Sequence, residues 1–115
     1  MCAGAEPGRY WLSDLEVELH PGERVTLAGS SKLAGSALRM HHGVSHLMRL
    51  AGLSLADALV MATRNPARVG RIASRQRGLA PGDRADIIQF RLDEATRTIR
   101  IEKTWLAGKL VYSAG

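Results

Sequence analysis

"KLAGSALRMHHGVSHLM", residues 32–48, joins a small-residue opening to an apolar pattern at helical spacing, with three histidines in six positions. Leu38, Val44, Leu47, Met48 and Ala51 fall near one face of a 3.6-residue period. Ser36 is the expected N-cap, its hydroxyl able to accept an otherwise orphaned backbone N–H. Gly52 is the expected left-handed residue that closes the helix. The preceding "SSKLAGS" (30–36) reads as a loop of small residues.

The histidines raise the question of a metal. His42 and His46 stand four apart, so their rings share one helix face. Such a pair supplies two ligands, whereas zinc takes three or four protein ligands with oriented partners behind them. A helix-borne zinc protease motif needs a Glu beside its first His, and Gly43 follows His42 here. His41 is offset from His42 by about 100° around the helix. His20 and Cys2 are distant in sequence. The residues favour surface or packing histidines over a small metal site at His42 and His46, which stays open as an alternative.

Working outward, "LEVELH" (15–20) alternates apolar and polar residues as a strand does. "PGE" (21–23) supplies turn chemistry, and "RVTLAG" (24–29) returns as a second strand. Downstream, Ser54 and Asp57 form a variant capping box ahead of a stripe of Leu55, Leu59 and Ala62, with Ala58 beside it. "TRNPARVG" (63–70) restarts the helix, with Asn65 as cap, Pro66 in the first turn and Gly70 at the end. "RIASRQRGLAPGDR" (71–84) is a loop with a type II turn centred on Pro81-Gly82. Strands follow at 85–92, 97–108 and 109–113, the last two joined by a tight turn at Gly108-Lys109.

The 115 residues suffice for one small core, which must be aliphatic because only 4% of them are aromatic. No apolar run approaches the roughly 18 residues of a membrane span, and the N-terminus lacks a secretory pattern. The single cysteine excludes an internal disulfide and fits a reducing compartment, with cytoplasm the expected location. The net charge of +5 invites a nucleic-acid reading. Arg64, Arg68, Arg71, Arg75 and Arg77 form an acid-free run that could neutralise phosphates. No aromatic residue is interleaved for base stacking, so a solvated face is the expected reading and nucleic acid is not an expected partner. "LAGSS" and "LAGSA" lack the lysine of a phosphate loop, and no serine or acid pair completes a catalytic set.

Three stretches together resemble the N-acetylglucosamine-6-phosphate deacetylase family of the amidohydrolase superfamily. They are "KLAGSALRM…GVSHLMRLAGLSLADALVMATRNPARVG", "RGLAPGDRADIIQF" and "KTWLAGKLVYS". The opening "MCAGAEPGRYWL" is similar to the family's segment just after its catalytic aspartate. The resemblance implies an α/β fold: the C-terminal portion of a (β/α)8 barrel plus strands of a small β-sandwich. Residues 1–72 would be terminal barrel elements and residues 73–115 sandwich strands. It implies a metal-dependent hydrolase that removes acetate from an amino-sugar phosphate, with a divalent metal, zinc or iron, in the intact enzyme.

The family's metal ligands and catalytic Asp would lie upstream of Met1. The chain is therefore expected to hold no catalytic residue and no metal, and to be inactive alone. Carried over by the resemblance, Leu33, Ala34 and Gly35 are the substrate-binding residues. His41, His42 and His46 depart from the family pattern and are expected on the outer barrel wall or against a subunit partner. Missing partner strands would favour self-association or a homo-oligomer. Two other readings stay open: a stand-alone small binding module, and a portion of another amidohydrolase acting on amides or cyclic imides.

Overall fold

A computed structural model describes residues 4–115 of the chain. They form two units, one ending at Arg39 and the other beginning at Met40.

The first unit is an antiparallel meander of four strands in sequential order: β1 (Gly8–Leu12), β2 (Leu15–His20), β3 (Arg24–Leu27) and β4 (Leu33–Ser36). Alternation along "LEVELH" puts Val17 and Leu19 on one face, where they are buried with Val25 and Ala37. Tyr10, Leu12 and Ala34 close over this cluster. Pairing of Leu19 with Val25 and Val17 with Leu27 fixes the register of the expected hairpin. Its turn works because Gly22 takes φ +86°, in the left-handed region open to glycine.

The last four residues of the expected small-residue loop (30–36) are instead the strand β4. Arg24 pairs with Ser36 and Val25 with Gly35, and this pairing holds residues 33–36 extended. Ser36 consequently caps no helix. Its hydroxyl accepts the Leu38 N–H at 3.1 Å in a local turn, and the helix begins four residues later. The strand β1 forms by pairing Tyr10 with Val17 and Leu12 with Leu15.

The second unit contains α1 (Met40–Leu50), α2 (Leu55–Ala62), α3 (Arg64–Val69), a 3-10 turn (Ala73–Arg75), β5 (Ile87–Asp93), β6 (Thr98–Leu106) and β7 (Lys109–Ser113). Gly52 follows α1 at φ +68°, as expected of a C-terminal glycine. Ser54 caps α2: its Oγ accepts the Asp57 N–H at 3.1 Å and donates to the Asp57 carboxylate at 2.6 Å. The cap expected of Asn65 is absent, because α3 starts one residue earlier at Arg64.

The strands β5, β6 and β7 pair antiparallel in that order. Val44, Met48, Ala58 and Ile99 are the buried centre, with Leu55, Leu59, Phe90 and Ile101 packed around them. Two polar ties fix α1 to β6 and to the turn residue just before it. Ser45, itself buried, donates to the His41 carbonyl at 2.8 Å and accepts the Ile99 N–H at 3.0 Å. Arg97 donates to the Met48 carbonyl at 2.9 Å, satisfying an acceptor at the helix end. The hairpin from β6 to β7 turns on Ala107 and Gly108, both at positive φ, with Lys109 already in β7 opposite Leu106. The expected turn at Gly108-Lys109 is thus displaced by one residue.

Candidate functional site

The residues singled out as substrate contacts, Leu33, Ala34 and Gly35, lie on β4, an edge strand of the four-stranded sheet. Val25 opposes Gly35 and Thr26 opposes Leu33, so Ala34 is one residue more than β3 can match. This is a β-bulge, which bends the strand and frees one residue from the ladder. The Leu33 side chain is 72% exposed, while Ala34 turns into the core. A Cβ on Gly35 would meet nothing within 4 Å, so the space beside this paired residue is open. An edge strand also keeps one row of N–H and C=O groups outside the sheet. Together these give a short, open stretch of backbone with hydrogen-bonding capacity and little bulk.

A cavity of about 160 Å³ lies in the same unit, lined at its polar side by Glu6, His20, Glu23 and Arg39. The Arg39 guanidinium stands 3.5 Å from the Glu23 carboxylate. His20 is held by a 2.8 Å hydrogen bond between Nε2 and the buried Thr26 hydroxyl. One imidazole nitrogen is therefore engaged within the sheet.

His41 and His42 do not diverge as the helical offset suggests. Their rings meet edge-on with centroids 4.2 Å apart. Long side chains on neighbouring positions can close an angle that separates their Cα–Cβ vectors. His46 lies one turn along the same helix and is half-buried. Among the described residues, no group of three or more His, Cys, Asp or Glu side chains is placed to hold a metal ion. Cys2 lies outside the described residues.

Four of the five arginines in the run resolve into two kinds, and the exposed Arg71 falls in neither. Arg75 pairs with Asp86, and Arg77 with Asp83. Arg64 and Arg68 instead line a cleft with Val60, Asn65 and Gln76. Asp86 is a structural acceptor: its Oδ1 takes the Ala107 N–H at 2.7 Å and the Arg84 Nε–H at 3.1 Å. The Ala107 N–H, then Arg75 and Arg84, hold its carboxyl below the ordinary aspartate range. Asp93 is lowered in the same sense, chiefly by the Thr96 N–H at the head of the hairpin from β5 to β6.

A model of the amidohydrolase family matches residues 32–112. The chain belongs to the amidohydrolase family. It is 34% identical over 108 residues to an N-acetylgalactosamine-6-phosphate deacetylase of Escherichia coli O157:H7, covering 94% of this chain and 27% of that one. It is 32% identical over 111 residues to an N-acetylglucosamine-6-phosphate deacetylase of Vibrio furnissii, covering 96% and 26%. A crystal structure of the N-acetylglucosamine-6-phosphate deacetylase of Thermotoga maritima superposes with a TM-score of 0.73 at 27% identity. That likeness covers 98% of this chain and 29% of the Thermotoga one. A Mycobacterium smegmatis deacetylase mutant, solved with N-acetyl-D-glucosamine-6-phosphate bound, superposes at 0.72 with 28% identity, covering 97% of this chain and 28% of that one.

The resemblance read from "KLAGSALRM…NPARVG" and the two later stretches is therefore borne out. The chain spans about a quarter of the length of most of these relatives, and 60% of a further one from E. coli K12. The structure is a small α/β piece with two antiparallel sheets. No helix among the described residues is long and apolar enough to cross a membrane.

Proposed function

We propose that the chain forms the C-terminal part of a metal-dependent amidohydrolase that removes acetate from an N-acetylated amino-sugar phosphate. In this reading residues 1–72 contribute the last elements of a (β/α)8 barrel and residues 73–115 contribute strands of a small β-sandwich. The bulged strand β4 carries the substrate contact: Leu33, Ala34 and Gly35 approach the sugar through backbone groups. The reading is supported by an open, small-residue strand edge inside the stretch that the family model matches. Bulges commonly mark places where a strand is re-aimed beside a binding site.

The divalent metal, zinc or iron, and the proton-shuttling aspartate belong to residues other than these. The part of the reaction assigned to this chain is binding and orientation, and the chain alone is inactive. The reading places the enzyme in the cytoplasm. Strand β7 is exposed along its whole length, with Leu110, Val111 and Tyr112 about half-exposed, which favours self-association over that face.

The direct test is a titration of the isotope-labelled chain with N-acetylglucosamine 6-phosphate, read at backbone amides. Saturable shifts at Leu33, Ala34 and Gly35 are expected, weakened several-fold in Gly35→Ala. That substitution adds a methyl group into open space and leaves the fold intact. Shifts that avoid β4, or that Gly35→Ala leaves unchanged, would overturn the assignment.

A further inference from the structure

The five arginines of 64–77 look alike in sequence, yet the structure separates four of them by partner, with the exposed Arg71 in neither set. Arg75 and Arg77 are neutralised by Asp86 and Asp83. Arg64 and Arg68 form no ion pair among the described residues. They stand four apart on α3, hence on one face of that helix. Like charges at this spacing repel, and a helix tolerates them best when an anion sits between them.

Both line a cleft of about 310 Å³, completed by Val60, Asn65 and Gln76. That volume lies at the lower end of the roughly 300–1,000 Å³ typical of small-molecule sites. Among the described residues, no acid lines the cleft. The Arg64 Nε–H donates to the Gln76 carbonyl at 3.4 Å, which steadies the guanidinium and leaves its terminal nitrogens available. Asn65 is half-buried and its carboxamide has no hydrogen-bond partner among the described residues.

We propose that this cleft, between α2, α3 and the 3-10 turn, binds the phosphate group of a small phosphomonoester. Two guanidinium groups match the nearly doubly charged phosphate better than a singly charged carboxylate. The Asn65 and Gln76 carboxamides supply further donors, and Val60 offers one apolar wall to a short carbon skeleton. Among the described residues the lining contains no aromatic side chain for base stacking, so a small molecule fits better than a nucleic acid. The site is separate in sequence and unit from the β4 contact, and it does not rest on the deacetylase reading.

The test is a titration of the labelled 115-residue chain with inorganic phosphate and with glycerol 3-phosphate. Sodium chloride and sodium acetate at equal ionic strength run alongside. The expected result is saturable shifts at Val60, Arg64, Asn65, Arg68 and Gln76 with both phosphates only. Arg68→Gln, which breaks no ion pair among the described residues, should weaken binding at least tenfold; Arg9→Gln, in the other unit, should not. Non-saturating shifts shared with chloride, equal binding of acetate, or no effect of Arg68→Gln would overturn the proposal. So would salt-sensitive binding of a single-stranded oligonucleotide without saturation by either phosphate. Because the readout residues differ, failure here leaves the β4 titration standing, and the reverse holds.

Discussion

Replacing Ser45 by Ala removes one oxygen from the joint between α1 and β6. Ser45 and Ile99 are each 3% exposed, so water cannot replace the hydroxyl that accepts the Ile99 N–H at 3.0 Å. A buried donor left without a partner costs about 1–3 kcal/mol. Alanine returns up to roughly 0.5 kcal/mol, because it is the better helix former and carries no hydroxyl to compete for backbone groups. The bond to the His41 carbonyl is also lost, at little cost, because a helical carbonyl inside α1 still accepts from the chain. The net expectation is a loss of about 1–2 kcal/mol. With a urea dependence of about 1–2 kcal/mol per molar, the unfolding midpoint falls by roughly 1 M. The assay is urea unfolding followed by circular dichroism, with hydrogen exchange of the Ile99 amide measured in parallel. A variant as stable as the parent, with Ile99 still protected, would refute the claim that this hydroxyl holds the two elements together.

Ala107 occupies φ +51° next to Gly108 at +79°, so the hairpin from β6 to β7 makes a two-residue turn with an alanine in the left-handed region. Ala107→Asn should raise stability by about 0.5–1 kcal/mol, because asparagine tolerates that region better; a lower urea midpoint would contradict this. Asp86 carries the pH dependence of the same corner. Its folded pKa is depressed, so its contribution is present above the ordinary aspartate value near 3.9 and is lost as pH falls through the folded value. Asp86→Asn should therefore lower stability at pH 7 and flatten the decline below about pH 4, read from thermal midpoints across pH. A variant curve parallel to the parent's would count against it.

Local chemistry made much of the fold legible. The hairpin from β2 to β3 was readable because period-two alternation, a Pro-Gly turn and a buried face all agree on one register. The cap at Ser54 and the glycine after α1 were readable for the same reason: each is a single-residue signal acting within one turn. Strand β4 was not readable, because "LAGS" has no alternation. Its extended state comes from pairing with Val25 and Arg24, ten or more residues away in sequence. That same pairing moved the start of α1 from Ser36 to Met40.

The candidate site shows the same division. "LAGS" was singled out through family likeness alone, and the bulge at Ala34 is a property of two strands and has no signature in one. The arginines looked uniform because the acids that pair with two of them stand six and eleven residues downstream. The contact between the His41 and His42 rings depends on side-chain rotamers, which helical spacing does not fix.

The measurement closest to the central claim is deacetylation of N-acetylglucosamine 6-phosphate by the purified chain with zinc or iron supplied, and bound metal assayed in the same samples. The account predicts no turnover and no stoichiometric metal, because the described residues gather no group of three potential ligands. Turnover with bound metal would contradict it, and would mean that His20, His41, His42 and His46 take part in a centre that this arrangement does not provide.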